Sequence, residues 1–127
     1  MTLRKPVFTK VEKLQPGSQG HNLIVQVMNV GEVMEKVRPS GDKLQIAEVL
    51  LADETGAVLF TARNEQIKLF KKGECVTVRN AKVNMVRGFI RLVVDKWGAI
   101  KPPGPTEKLQ GPPKVENNIS NIEYELV

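Results

Sequence analysis

Between Asn22 and Lys96 the chain repeats one pattern: a short run of apolar and β-branched residues, then a cluster of turn-forming ones. Period-two alternation gives a strand one buried and one solvated face, and Gly, Pro, Asn, Asp and Ser end it. The punctuation comes too often for long helices, so the chain must fold as strands with tight connections.

Pro16 to Gly20 supplies turn chemistry, and Asn22 to Val33 reads as the first strand. Glu35 to Lys43 carries charges with Pro39, Ser40 and Gly41, and reads as a flexible surface loop. Leu44 to Ala52 and Ala57 to Ala62 form a hairpin around Asp53-Glu54-Thr55-Gly56, with Asp53 expected to bond its own turn backbone. Alternation turns Val49, Leu51, Val58 and Phe60 inward, and Leu50, Leu59, Thr61 and Arg63 outward.

Asn64 to Phe70 reads as a short helix with Asn64 as N-cap, in which Ile67, Leu69 and Phe70 plug a barrel end and Gly73 closes the segment. Glu74 to Met85 is the fourth strand. Val76 and Val78 face inward and, after a bulge, so do Ala81, Val83 and Met85, leaving Lys82 outward. The Arg87-Gly88 turn leads to Phe89 to Lys96, with Ile90, Leu92 and Val94 buried and Phe89, Arg91 and Val93 opposite. Five strands with one short helix between the third and fourth is the element order of the OB-fold, an all-β five-stranded Greek-key barrel.

The 127 residues suffice for one domain. We expect a barrel with its N-terminal extension over 1–98, a Pro/Gly-rich linker over 99–116 and a C-terminal segment over 117–127. The linker holds five prolines from Pro102 to Pro113 and is read as extended and unable to join a sheet. Ile119, Ile122, Tyr124 and Leu126 restore an apolar pattern suited to docking on the barrel or a partner.

Catalysis lacks its parts. His21 and Cys75 are the only residues of their types, so a disulfide within the chain and a zinc cluster of Cys and His are both excluded. No Gly-rich phosphate loop or framed carboxylate pair appears, and no cofactor is expected. Cys75 reads as a small apolar side chain and His21 as a surface or strand-capping residue. The single cysteine fits a reducing compartment, and no signal peptide or membrane-spanning run is evident, so we expect a soluble protein of nucleus or cytoplasm.

A formal charge of +5 favours polyanionic partners. The outward face of strands two to five carries Arg63, Thr77, Arg79, Lys82, Arg87 and Arg91 interleaved with Leu50, Leu59, Phe89 and Val93, and Lys36, Arg38 and Lys43 flank it. Such a face can track phosphates while guanidinium planes stack on bases. A merely solvated sheet face is the plainer alternative. Trp97 has two readings, stacking on a base or packing on the barrel.

The runs Asn22 to Val25, Ala52 to Gly56, Arg87-Gly88 and Asp95-Lys96-Trp97-Gly98 resemble single-stranded DNA-binding proteins of the SOSS-subunit-B type. The small plant OB-fold members also share Phe60 to Asn64 and Ile122 to Leu126. The resemblance implies single-stranded nucleic-acid binding, nuclear or cytoplasmic, without cofactor. It also implies aromatic stacking positions, where this chain carries Arg63, Lys82, Val86 and Val93; aromatics make up only 5% of its residues.

The site expected from these readings comprises Arg63, Arg79, Lys82, Val86, Arg87, Phe89, Arg91, Val93 and Trp97, with single-stranded DNA or RNA as ligand. The alternative is a protein-interaction module that docks a protein partner through the barrel.

Overall fold

A computed structural model describes residues 7–125. Leu126 and the cationic stretch before Val7 lie outside the described residues. Among the described residues seven strands form one sheet: β1 (Gln19–Val30), β2 (Met34–Val37), β3 (Lys43–Ala52), β4 (Ala57–Arg63), β5 (Cys75–Val86), β6 (Phe89–Val93) and β7 (Ala99–Lys101). The order β1-β3-β4-β6-β5 closes on itself through antiparallel β1–β5 pairing, making the five-stranded OB barrel.

The two additional strands correct the sequence reading. The first strand stops at Val30, and the expected loop contains β2, which pairs antiparallel with Lys43–Ile46 of β3. Strand pairing thus resumes where charge content suggested a loop, leaving only a tight turn closed by the Arg38 N–H to the Asp42 carbonyl. At the other end, Ala99–Lys101, read as linker, pairs with Thr77 to Arg79 of β5. It does so ahead of the first linker proline, so its N–H groups remain available for the ladder.

Alternation placed the core correctly along β3, β4 and β6: Val49, Leu51, Val58, Phe60, Ile90, Leu92 and Val94 are all buried. Phe60 sits at its centre, with the Phe70 ring at 4.9 Å and tilted by 55°. The segment Asn64–Leu69 is 3₁₀ rather than α-helical, and Arg63, not Asn64, is its cap residue. Asn64 takes φ of 50° and its side-chain oxygen accepts the Gln45 N–H. Phe70 plugs the barrel and Ile67 packs against it, but Leu69 points out, because a 3₁₀ turn brings residues three apart onto one face.

The bulge expected in the fourth barrel strand is present. Leu23 and His21 of β1 oppose Val78 and Ala81 of β5, and Asn80 has φ of 52°. It keeps Val76, Val78, Ala81 and Val83 inward across the extra residue. Met85, expected inward, is 38% exposed, since the end of β5 runs beyond the closed barrel into the β5–β6 turn.

β4 and β6 run parallel and pair only at Phe60 and Leu92. The wedge where they diverge is filled by the C-terminal segment. Asn118 bridges to Ala57, Glu123 to Phe89, and the Tyr124 N–H donates to the Gly88 carbonyl at 2.8 Å. Buried Ser120 accepts the Leu59 N–H at 2.9 Å and donates to the Ile90 carbonyl at 2.7 Å, supplying the hydrogen bonds that these two strands cannot give each other. Gly88 has φ of 92°, and a Cβ there would sit 2.9 Å from the Tyr124 carbonyl oxygen, so both turn and docking require glycine.

Candidate nucleic-acid interface

The open face of β4, β6 and the second half of β5 forms a groove of about 220 Å³ lined by Thr61, Arg63, Lys82, Asn84, Val93, Val94 and Asp95. Register explains the convergence. Lys82 pairs with Val93 and Asn84 with Arg91 across β5–β6, while Glu48 pairs with Thr61 across β3–β4, so these outward side chains form adjoining rows. Gln66 fixes the corner: its carbonyl accepts the Arg63 N–H and its amide donates to the Val94 carbonyl at 2.8 Å.

Two ion pairs cross this surface. Arg91 Nε lies 3.0 Å from Glu48 Oε2, and Lys82 Nζ lies 2.6 Å from Asp95 Oδ2. The hydrogen bond from Lys82, with a second from the Trp97 N–H, holds the Asp95 carboxyl below the usual carboxylate range. Arg63 is exposed and carries the groove's unengaged guanidinium among the described residues.

Trp97 lies two residues beyond the groove-lining Asp95 and is 73% exposed, which decides against packing on the barrel. Its backbone is pinned on both sides. The Trp97 N–H donates to Asp95 Oδ1 at 2.9 Å, and its carbonyl accepts the side-chain amide of the bulge residue Asn80 at 3.2 Å. Lys96 Nζ lies 5.0 Å from the indole centroid. The bulge thus holds the backbone from which this large aromatic reaches solvent beside Lys96.

The expected site is only partly assembled. Arg63, Lys82 and Val93 come together in the groove, with Arg91 beside them and Trp97 two residues beyond Asp95. Val86 and Arg87 are exposed at the β5–β6 turn, away from the groove lining, and Phe89 is half-buried beside the C-terminal segment. Arg79 and Thr77 do not belong to this face. Thr77 is 1% exposed and donates to Glu107, while Arg79 pairs with Glu107 at 3.4 Å and lies 5.3 Å from the Phe8 ring. Glu107, from the segment read as an extended linker, lies over them.

Sequence reasoning missed Asn84, Asp95 and Glu48. Asn84 was legible as the residue alternating with Lys82 past the bulge. Asp95 stood in a run that carries the resemblance but was given no role, and Glu48 carried no signal, because a search for anion-binding cations passes over carboxylates.

Asp53 is 1% exposed and does more than cap its turn. Oδ1 accepts from the Thr55 and Gly56 N–H groups and the Thr55 hydroxyl, and Oδ2 accepts the Val11 N–H at 2.9 Å. It therefore fastens the N-terminal extension to the β3–β4 turn. Among the described residues no group of three or more His, Cys, Asp or Glu side chains is placed to hold a metal ion.

This geometry has known counterparts. Residues 14–102 match the family described as single-stranded DNA binding protein Ssb-like, OB fold. The chain belongs to the Ssb-like OB-fold family. An uncharacterized Arabidopsis thaliana protein is 45% identical over 98% of this chain and 85% of its own length. The solution structure of a hypothetical protein from Arabidopsis thaliana superposes with a TM-score of 0.76 at 42% identity, covering 100% of this chain and 92% of that one. The single-stranded DNA binding protein Ssb of Saccharolobus solfataricus is 29% identical over 65% of this chain, which spans 55% of that protein. In this Ssb-like chain the family match covers all seven strands and the Trp97 turn, and ends at Pro102 ahead of the strapped C-terminal region.

Proposed function

We propose that this Ssb-like protein binds single-stranded DNA or RNA in the groove between β4, β6 and β5, as a binder rather than a catalyst. The observation that carries this reading is the backbone-pinned, 73% exposed Trp97 beside a groove holding Arg63, Lys82 and Val93. Stacking on an aromatic contributes about 1 to 3 kcal/mol per base and tolerates any sequence, while the cations follow the backbone. Trp97 supplies one aromatic platform; Arg63, Lys82 and Val93 stand where the SOSS-subunit-B resemblance implies others, so phosphate contacts carry a larger share here. Arg63, Lys82, Arg91, Val93 and Trp97 form the site, joined by Thr61 and Asn84 as polar contacts for base edges.

Titration of labelled single-stranded DNA and RNA over a salt series tests the proposal. Binding that weakens steeply with salt is expected, and absence of binding at low salt refutes it. A second reading, docking of a protein partner, is favoured by a separate cleft of about 490 Å³ lined by Leu69, Cys75, Pro102 and Pro103 with Lys68 and Lys101 at its edge. Charge reversal at Arg63 and Lys82 separates the two, since it removes nucleic-acid retention and leaves that cleft intact.

A further inference from the structure

The groove and its adjoining rows hold three cations, Arg63, Lys82 and Arg91, but also two carboxylates, Glu48 and Asp95. Both acids sit on cations that the ligand's phosphates need. The Arg91 side chain is 17% exposed against 43% for Glu48, so the carboxylate lies on the solvent side of the guanidinium, where a phosphate has to arrive. Asp95 is held in place by Lys82 and by the Trp97 N–H together.

A cation already neutralised by a fixed carboxylate gains little from a phosphate contact. The exchange replaces one anion with another and leaves the displaced acid near the incoming charge. Binding must draw on something besides charge, and what the site offers is apolar contact at Val93 and stacking at Trp97. A flexible single strand can splay its bases onto both. A duplex keeps its base faces stacked inside and presents only phosphates and groove edges, neither of which can seat on Val93 or Trp97.

We propose that Glu48 and Asp95 are built-in competitors for phosphate, which hold Arg91 and Lys82 neutralised until a single strand displaces them with its bases seated on Val93 and Trp97, and so discriminate against duplex. This rests on the single-strand reading above and deepens it: the acids set selectivity at the expense of affinity. Arg63, unengaged by either acid, makes the first electrostatic contact.

The test compares the full-length protein with Glu48→Gln and Asp95→Asn, using labelled oligo-dT and a duplex of equal length over a salt series. Each variant is expected to bind oligo-dT roughly three- to fivefold more tightly at low salt. The log–log salt slope steepens by about 0.7 as one more phosphate contact becomes effective. Duplex affinity rises by a larger factor, narrowing the preference for single strands. Glu107→Gln changes net charge equally, away from the groove, and is expected to leave affinity unchanged within about twofold.

Wild-type protein that ignores both oligo-dT and an oligo-U of equal length at low salt refutes the single-strand reading itself. Wild-type binding with unaltered affinity and slope in both variants overturns the competitor proposal alone. So does tightening by Glu107→Gln equal to theirs, which assigns the effect to net charge. Glu48 lies on β3 and Asp95 in the segment after β6, so misfolding of one variant, seen by circular dichroism, leaves the other to decide.

Discussion

The two halves of β5 present the same kind of surface and meet different fates. Before the bulge at Asn80, the outward residues are Thr77 and Arg79; after it, they are Lys82 and Asn84. Thr77 is enclosed beneath Glu107, and Arg79 is half-covered between Glu107 and Phe8, whereas Lys82 and Asn84 line an open groove. Strand alternation is equally clear in both. What differs is whether another part of the chain returns to cover the face. A polar and cationic strand face is therefore a site only where the fold leaves it uncovered.

The comparison can be broken most forcefully at the open half. Replacing Arg63 and Lys82 together by Glu removes two cations and adds like charge facing phosphate, which costs several kcal/mol. Affinity for single-stranded DNA is expected to fall on the order of 100-fold by fluorescence anisotropy, with the circular dichroism spectrum unchanged. Retained affinity places the ligand elsewhere.

Trp97→Ala comes next. Loss of one stacking platform weakens binding by about 1 to 3 kcal/mol, and the thermal midpoint stays near wild type because the ring is 73% exposed. A large drop in melting temperature, read by calorimetry, assigns the indole a structural role instead. At the covered half the pattern inverts. Thr77→Val deprives Glu107 of a hydroxyl donor, so the urea midpoint is expected to fall while single-strand affinity does not move.

The smallest effect concerns Asp95. Its folded pKa lies below the ordinary value of 3.8, so the ionised carboxylate stabilises the fold above that value. This contribution is lost as pH falls through the lowered folded pKa. Wild type is therefore expected to melt slightly above Asp95→Asn at neutral pH, with the gap closing only in acid below about pH 3.8. A gap that persists undiminished at the lowest pH shows that the pair with Lys82 does not contribute through charge.

Local chemistry carried most of the barrel. Alternation put Phe60, Leu51, Ile90 and Leu92 in the core, the Asp53 to Gly56 turn set the hairpin, and the bulge followed from the apolar pattern breaking between Val78 and Ala81. The 3₁₀ geometry of Asn64–Leu69 was not legible, since a six-residue segment satisfies either helix and its tertiary contacts through Gln66 and Phe70 decide. Met85 was misplaced because alternation continues past the point where a strand leaves its barrel.

The site was legible in its cations and not in its boundaries. Arg63, Lys82, Arg91 and Val93 could be named from outward strand positions, and Trp97 as the lone large aromatic beyond the final barrel strand. Their pairing with Glu48 and Asp95 joins residues 43 and 13 positions apart, and Arg91 reaches Glu48 over the intervening β4, a meeting that no local pattern reveals.

The sequence by itself determined the strands, their buried faces and the barrel that these imply, because alternation and turn chemistry act between near neighbours. Only the tertiary structure decided which outward residues remain outward. The returning segments around Glu107 and Ser120 lie 28 to 61 positions from the groups they bond. Coverage at that range depends on where the whole chain passes, and it separates the enclosed Thr77 and the paired Arg79 from the open groove and exposed Trp97 that give this barrel its candidate interface.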